Sequence, residues 1–257
     1  MIDLHSHILP GIDDGAQSIE DSVEMARVAS DDGIKTIAAT PHSTELPSGY
    51  SYQDLLTLLE RLEEELIRRE LKLKVVAGLE NYISPEIIRR VEEGAAVTLN
   101  GTKYILVELP LQQYPAYTDQ ILFELQAKGL FPIIAHPERN IAIQRHNSLL
   151  EQLVRRGMLA QVTSASLTGV FGKETQKVAQ YFVTRNLVHI IASDAHSAFS
   201  LRMPVLSPAV AVAAELVGEE RARAMVKAIP EAILAGEPIQ VEPPIPPKSK
   251  SFWKFWR

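Results

Sequence analysis

Seven short apolar runs, each separated from the next by helix-patterned chain, constrain this sequence more than any other feature. They are Ile2–Leu4, Thr36–Ala39, Lys74–Ala77, Tyr104–Val107, Pro132–Ala135, Ala160–Val162 and Val188–Ala192. Strands alternating with helices favour a parallel sheet wrapped by helices, since a parallel crossover needs an intervening element. The runs are apolar on successive residues, as expected of strands covered on both faces. Two helices announce their starts: Ser18-Ile19-Glu20-Asp21 and Ser51-Tyr52-Gln53-Asp54 have the form of acidic capping boxes. In the second helix Leu55, Leu59, Leu62 and Leu66 recur on one face, with Arg61, Glu63, Glu64 and Arg68 on the other. Such units suit a closed or distorted α/β barrel, but an open doubly wound sheet has the same periodicity, so closure is undecided by pattern alone.

Composition removes several chemistries. The 257 residues contain no cysteine, which excludes disulfides, thiolate metal sites and a phospho-cysteine intermediate. A net charge of −6 gives no general attraction for nucleic acid. The start Met1-Ile2-Asp3-Leu4-His5 lacks a basic segment followed by a long apolar one, and no run approaches the roughly 18 apolar residues of a membrane span. The expected compartment is the cytoplasm.

The candidate chemistry lies where the strands end. His5 and His7 follow the first run as His-x-His, and alternate side chains of extended backbone point the same way. His42 follows the second run, Glu80 the third, Glu108 ends the fourth, His136 follows the fifth, and Asp194 and His196 follow the last. All fall at C-terminal strand ends, the face where α/β barrels assemble active sites. A lone strand-end histidine is commonly a hydrogen-bonded structural residue. Five of seven histidines at such ends, together with several acids, instead predict a metal centre. His146, in a helix-like stretch, and His189, inside a strand run, are expected to be structural.

These motifs also carry a resemblance. His5-Ser6-His7 with Asp13-Asp14-Gly15, Thr40-Pro41-His42, Ala135-His136-Pro137-Glu138-Arg139 and Ser193-Asp194-Ala195-His196 resemble the polymerase and histidinol phosphatase (PHP) superfamily. Within it, the chain is similar to the CpsB/YwqE-like bacterial tyrosine-protein phosphatases. The resemblance covers about residues 1–240 and implies a distorted (β/α)7 TIM-like barrel of the PHP type. It further implies three divalent metal ions, usually manganese, and phosphotyrosine substrates, in particular a bacterial tyrosine kinase controlling capsule or exopolysaccharide synthesis. Carried over by position, one ion would take His5, His7, Glu80 and Asp194. Glu80 would bridge to a second ion held also by Glu108 and His136, and a third would take Asp14, His42 and His196. The wider superfamily often has histidine where this chain has Asp14 and Glu108. Mixed histidine and carboxylate donors also suit iron or zinc.

The four carboxylates of this set would offset four of the six positive charges of three divalent ions, leaving charge to hold hydroxide and phosphate. In-line attack on phosphorus then needs no covalent phospho-enzyme. Arg139 and Arg202 are placed to engage the phosphoryl oxygens as planar donors; the alternative is that each pairs with a nearby acid, Glu138 for Arg139. Asp-Asp-Gly also suits a turn, and Asp13 is expected to support the site rather than ligate. His42, His196 or water could assist the departing phenolate. A small-molecule phosphatase, such as one for histidinol phosphate, and a non-catalytic metal-binding regulator are the competing readings. The tail from 241 differs from the rest: a Pro-rich stretch is expected to be extended, and residues 248–257 mix bases with four aromatics. That mixture suits either loose packing on the domain or contact with an anionic membrane surface or partner.

Overall fold

The computed structural model describes residues 1–47, 49–240 and 242–246. Among them are eight strands: β1 Ile2–Ser6, β2 Thr36–Ala39, β3 Lys74–Ala77, β4 Glu80–Tyr82, β5 Tyr104–Glu108, β6 Phe131–Ile134, β7 Leu159–Thr163 and β8 Ile190–Ala192. The helices between and after them are α1 Ile19–Asp31, α2 Tyr52–Arg68, α3 Ile87–Glu92, α4 Thr118–Ala127, α5 Ile141–Arg145 and α6 Ser148–Arg155. They continue as α7 Ser164–Thr168, α8 Lys173–Thr184, α9 Ser207–Val217, α10 Glu219–Ala224 and α11 Ala228–Ala235. Both anticipated capping boxes close. Ser18 and Ser51 each accept from the backbone of the aspartate three residues on, and that aspartate accepts in return. The four leucines of α2 are buried.

All the strand pairs are parallel, in the orders β1-β2-β3 and β4-β5-β6-β7-β8. The two sheets meet at both edges. At one seam Ser6 bridges Ala195, with His7 N donating to Ala195 O at 2.8 Å and Asp194 N to His5 O at 2.9 Å. At the other, His42 bridges Glu80. The seven expected strands are present, β2 and β3 with the expected bounds and the others with shifted ends, but β4 was not anticipated. Glu80-Asn81-Tyr82 is polar and so shows no apolar run. Gly78 separates it from β3 at a tight crossing, where a Cβ would lie 2.8 Å from Leu99 Cδ2 and 2.9 Å from Thr40 Cγ2. His189, expected within a strand, lies one residue before β8, and exposed His146 caps the C-terminus of α5.

Alternation along the strands sorts the apolar residues into two cores. Leu4, Ala38, Val76, Leu106, Ile133, Leu159 and Ile190 form one cluster. Their neighbours Ile37, Val75, Ile105, Val107, Ile134, Val162 and Ile191 join the larger cluster shared with the helices. Both strand faces are therefore dry, as the uninterrupted runs foretold. Ile233 of α11 belongs to the smaller cluster and seals the N-terminal ends of the strands. Nearby, Tyr104, the first residue of β5, donates its hydroxyl to Glu237 O at 2.6 Å. No helix among the described residues is long and apolar enough to cross a membrane. Within the Pro-rich stretch, residues 242–246 form no regular element, and Asn186 Nδ2 donates to Glu242 O at 2.9 Å. The basic-aromatic stretch 248–257 lies outside the described residues.

Ile233→Ala removes the seal while leaving the metal-side residues untouched. It is expected to destabilise the fold by about 2–5 kcal/mol, read as a lower urea midpoint at constant slope.

Candidate metal centre

The sequence places its polar residues one or two positions beyond apolar strands, and the parallel sheet carries all of them to one end. His5 ends up inside β1 and Glu108 closes β5, while Glu80 opens β4. His7, Asp14, His42, His136, Asp194 and His196 sit on the loops that leave the strands. The nine expected ligands are thereby brought together. Glu80, fully buried, is at their centre. Its Oε2 lies 2.8 Å from His42 Nδ1, 3.3 Å from His5 Nε2 and 3.5 Å from His7 Nε2, and its Oε1 lies 2.8 Å from His136 Nε2.

Three overlapping groups have donor atoms close enough to share an ion: His5, His7 and Glu80; His42, Glu80 and Glu108; and His7, Asp14, His42 and His196. The expected sets differ in detail. Asp194 Oδ1 stands 3.4 Å from both His5 Nε2 and His7 Nε2, beside the first group. His136 approaches Glu108 Oε1 to 4.0 Å, beside the second. The third gathers His7 in addition to the expected Asp14, His42 and His196, with His196 Nε2 at 3.0 Å from Asp14 Oδ1.

Neighbours outside the nine ligands hold the rings in place, Gln161 and Asp3 among them without having been assigned from the sequence. Gln161 of β7 accepts from His5 Nδ1 at 2.9 Å, which leaves the Nε2 lone pair of His5 facing the cluster. Asp13 does the same for His7, at 2.6 Å from Nδ1, and also accepts from Gly15 N and His42 N. It therefore supports the site, as anticipated. The turn needs Gly15 because a Cβ there would lie 2.1 Å from His7 O. Asp3, fully buried, accepts from Ser193 N at 3.0 Å and Ser193 Oγ at 2.5 Å, tying β1 to the loop that carries Asp194. Burial lifts the Asp3 carboxyl to about 6 against these hydrogen bonds. A lone amide in Leu159–Thr163 and a lone acid in Ile2–Ser6 were the legible signals for Gln161 and Asp3, because a polar side chain in a dry strand requires a partner.

Two non-glycine residues of the centre sit in the left-handed region, His136 at φ 31° and Asp194 at φ 53°. Such conformations cost of order 1–3 kcal/mol and cluster at functional sites. Arg139 and Arg202 converge on Asp194 from opposite sides, Arg139 Nη1 at 2.5 Å from Oδ2 and Arg202 Nη2 at 2.7 Å from Oδ1. Pairing of Arg139 with Glu138 is not found. Glu138 is buried and accepts from Thr163 N at 3.0 Å, while the Arg139 guanidinium lies 5.2 Å from the Phe171 ring centroid. Beside the His196 edge opens a cavity of about 640 Å³ lined by Asp14, Gln17, Asp21, Glu45 and the largely exposed Phe199.

The charges follow from this packing. Burial opposes charge on His5, but Glu80 and Asp194 outweigh it and lift His5 to about 9. His42 is likewise lifted to about 9, against burial, chiefly by Glu80. His196 is pushed down to about 2 by burial and by the neighbouring His7 and Arg202. The Glu80 and Asp194 carboxyls are held well below the usual range, against burial, by the surrounding histidines and arginine. Burial and Glu80 raise Glu108.

The donor set fits divalent ions. Glu80 Oε2 and His196 Nε2 are buried and close no well-aligned hydrogen bond among the described residues, although His42 Nδ1 and Asp14 Oδ1 lie at 2.8 and 3.0 Å. Atoms that approach without aligning are aimed at a shared point rather than at each other.

Parallel strands that deliver imidazoles and carboxylates to one rim define a metal-dependent hydrolase. More specifically, the chain belongs to the capsular polysaccharide synthesis CpsB/CapC family, whose model matches residues 1–235. The tyrosine-protein phosphatase YwqE of Bacillus subtilis is 38% identical over 256 residues, covering 100% of both chains. The tyrosine-protein phosphatase CpsB of Streptococcus pneumoniae is 29% identical over 91% of this chain and 98% of its own. A crystal structure from the study of YwqE and CpsB, described as unique metal-dependent tyrosine phosphatases, superposes with a TM-score of 0.91 at 40% identity, covering 96% of this chain and 100% of that one. A β-aspartyl dipeptidase of Fervidobacterium islandicum AW-1, 15% identical with a TM-score of 0.53 over 91% of this chain and 74% of its own, shares the fold alone.

Metal-free protein should bind metal more tightly as pH rises, because ions must displace the protons held on His5 and His42. These groups have folded values near 9, above the ordinary value of about 6.5. The stability they lend the metal-free fold is therefore full below about pH 6.5 and lost as pH rises through about 9. Competition titration between pH 6.5 and 9 should show affinity rising with proton release. Gln161→Leu should weaken metal binding about 10- to 100-fold with little change in the fold, measured by the same titration.

Proposed function

We propose that this chain is a metal-dependent protein-tyrosine phosphatase acting on a bacterial tyrosine kinase that controls capsule or exopolysaccharide synthesis, with manganese as the working ion. The observation that carries the reading is the convergence of nine imidazole and carboxylate ligands on one strand end, beside two arginines, in a chain without cysteine. Full-length similarity to proteins named as tyrosine phosphatases supports the substrate class. Treating β3 and β4 as one strand broken at Gly78 turns the eight segments into seven positions of a distorted (β/α)7 barrel, a reading supported by the bridges at both seams. The catalytic unit is assigned to residues 1–240, with 241–257 as an appended tail.

In this reading His5, His7, Glu80 and Asp194 would hold a first ion, Glu80, Glu108 and His136 a second, and Asp14, His42 and His196 a third. When bound, the ions would polarise the phosphoryl oxygens and lower the barrier for attack by water. Arg139 and Arg202 then orient the phosphate, since a planar guanidinium can engage two oxygens at once. Their present partner, Asp194, is also an assigned ligand, and sharing that carboxylate with an ion would leave guanidinium donors for the ester. Phe171, stacked on Arg139, keeps that side chain at the rim. The corner of Asp14 and His196 opens on the cavity, so water entering there is assigned proton delivery to the leaving phenolate, which needs little help.

Metal-stripped protein with manganese added back should release phosphate from a phosphotyrosine peptide and not from phosphoserine or histidinol phosphate. Preference for histidinol phosphate would overturn the substrate class. His136→Ala is expected to abolish turnover. Arg139→Ala should raise KM by about 10- to 100-fold, the value of a hydrogen bond to a charged group, with metal content unchanged. Loss of metal from that variant would refute the division of roles.

A further inference from the structure

At the end of the fold opposite the metal centre lies a second cavity, of about 540 Å³, between the segment that enters β8, α10, α11 and residues 239, 240 and 242. Its walls include the apolar Val188, Val217, Met225, Ile229 and Ile239, with His189, Arg221 and Asn186 among the polar residues. His189 and Asp194 flank β8, so the two sites stand roughly 15 Å apart at about 3.3 Å per residue.

His189 is the informative residue. It is buried, 7% exposed, and burial together with nearby Arg221 pushes its imidazole down to about 4, so the ring is neutral. Ala160 N donates to His189 Nδ1 at 3.3 Å. Nδ1 is therefore the acceptor nitrogen and Nε2 carries the proton. That Nε2–H donor is buried and has no partner among the described residues. A buried donor without an acceptor is destabilising, and nothing in the proposed chemistry uses it.

Arg221 is the second donor facing this space. Its Nη2 donates to Asn186 Oδ1 and lies 3.5 Å from Val183 O, which leaves guanidinium donors unspent. The polar floor thus offers one neutral donor and one cation beneath an apolar wall, while exposed Glu219, Glu220 and Glu242 line the rim. The rim acids count against phosphates and other multiply charged anions, and the floor counts against amines.

We propose that this cavity binds a small organic monocarboxylate carrying an apolar body, one oxygen accepting from His189 Nε2–H and the other from Arg221. The site is separate from the metal centre and does not depend on the reaction assigned there.

Calorimetric titration of the full chain with phenylacetate and octanoate, alongside phenylacetamide, benzyl phosphate and benzylamine, tests this. Saturable binding of a carboxylate, at least tenfold tighter than the neutral, phosphate and amine probes, is expected. A crystal structure of the mixture should place the carboxylate on His189 and Arg221. Arg221→Gln should weaken binding at least tenfold. Ala224→Leu should abolish it by filling the cavity with both donors intact, while manganese-stimulated phosphatase turnover and melting temperature stay unchanged. The proposal is overturned if no carboxylate binds and only water meets His189. It is equally overturned if the amide binds as well as the acid, if binding survives Ala224→Leu, or if the ligand is found at the metal centre.

Discussion

The buried carboxylate of Glu80 is the constraint around which the catalytic end is built. A fully buried anion is tolerable only with compensating positive charge or donors, and four histidines within 3.5 Å supply them. Those histidines come from β1, from the loops after β1 and β2, and from the loop after β6, so one side chain ties together chain segments 131 positions apart. The same arrangement lifts His5 and His42 to about 9. Protons and ions thus compete for a single set of lone pairs.

Holding that cluster requires support behind it. Gln161, Asp13 and Asp3 act from the strands and turns, each making hydrogen bonds that leave little rotational freedom to the ring or loop it touches. The left-handed backbones at His136 and Asp194 are the cost of aiming side chains from two sharp turns into one small volume. The dry cores on both strand faces and the seal at Ile233 offset that strain by making the platform rigid. Rigidity matters because ligand geometry tolerates displacements of only about 0.5 Å. The two arginines are the softer element, partly exposed and held by a carboxylate that ions also seek.

Division of labour between the two ends of the strands follows from their being parallel. Loops leaving the strands carry metal-ligand chemistry, and loops entering them carry the seal, the Pro-rich strap on Asn186 and the second cavity. The first end carries the recognised motifs that hold most of the clustered ligands. The second carries the unpartnered donor of His189, which the proposed chemistry does not use.

By itself the sequence determined the class of fold, two helix starts and the identity of eight of the nine clustered side chains, Asp14 being selected by the family resemblance. The physical reason is that dry parallel strands write uninterrupted apolar runs, capping boxes are local, and polar residues at successive strand ends must gather on one rim. Tertiary structure alone decided the rest. Strand β4 escaped notice because it is polar and is paired only through Glu80 and its neighbours in space. Gln161 and Asp3 looked like isolated polar residues until their partners, 156 and 190 positions away, came into contact. The pairing of Arg139 with Asp194, shared with Arg202, rather than with Glu138, and the grouping of His7 with Asp14, His42 and His196, depend on side-chain directions that no spacing encodes. Periodicity specifies which residues face inward on each element; only the docking of elements specifies what they meet there.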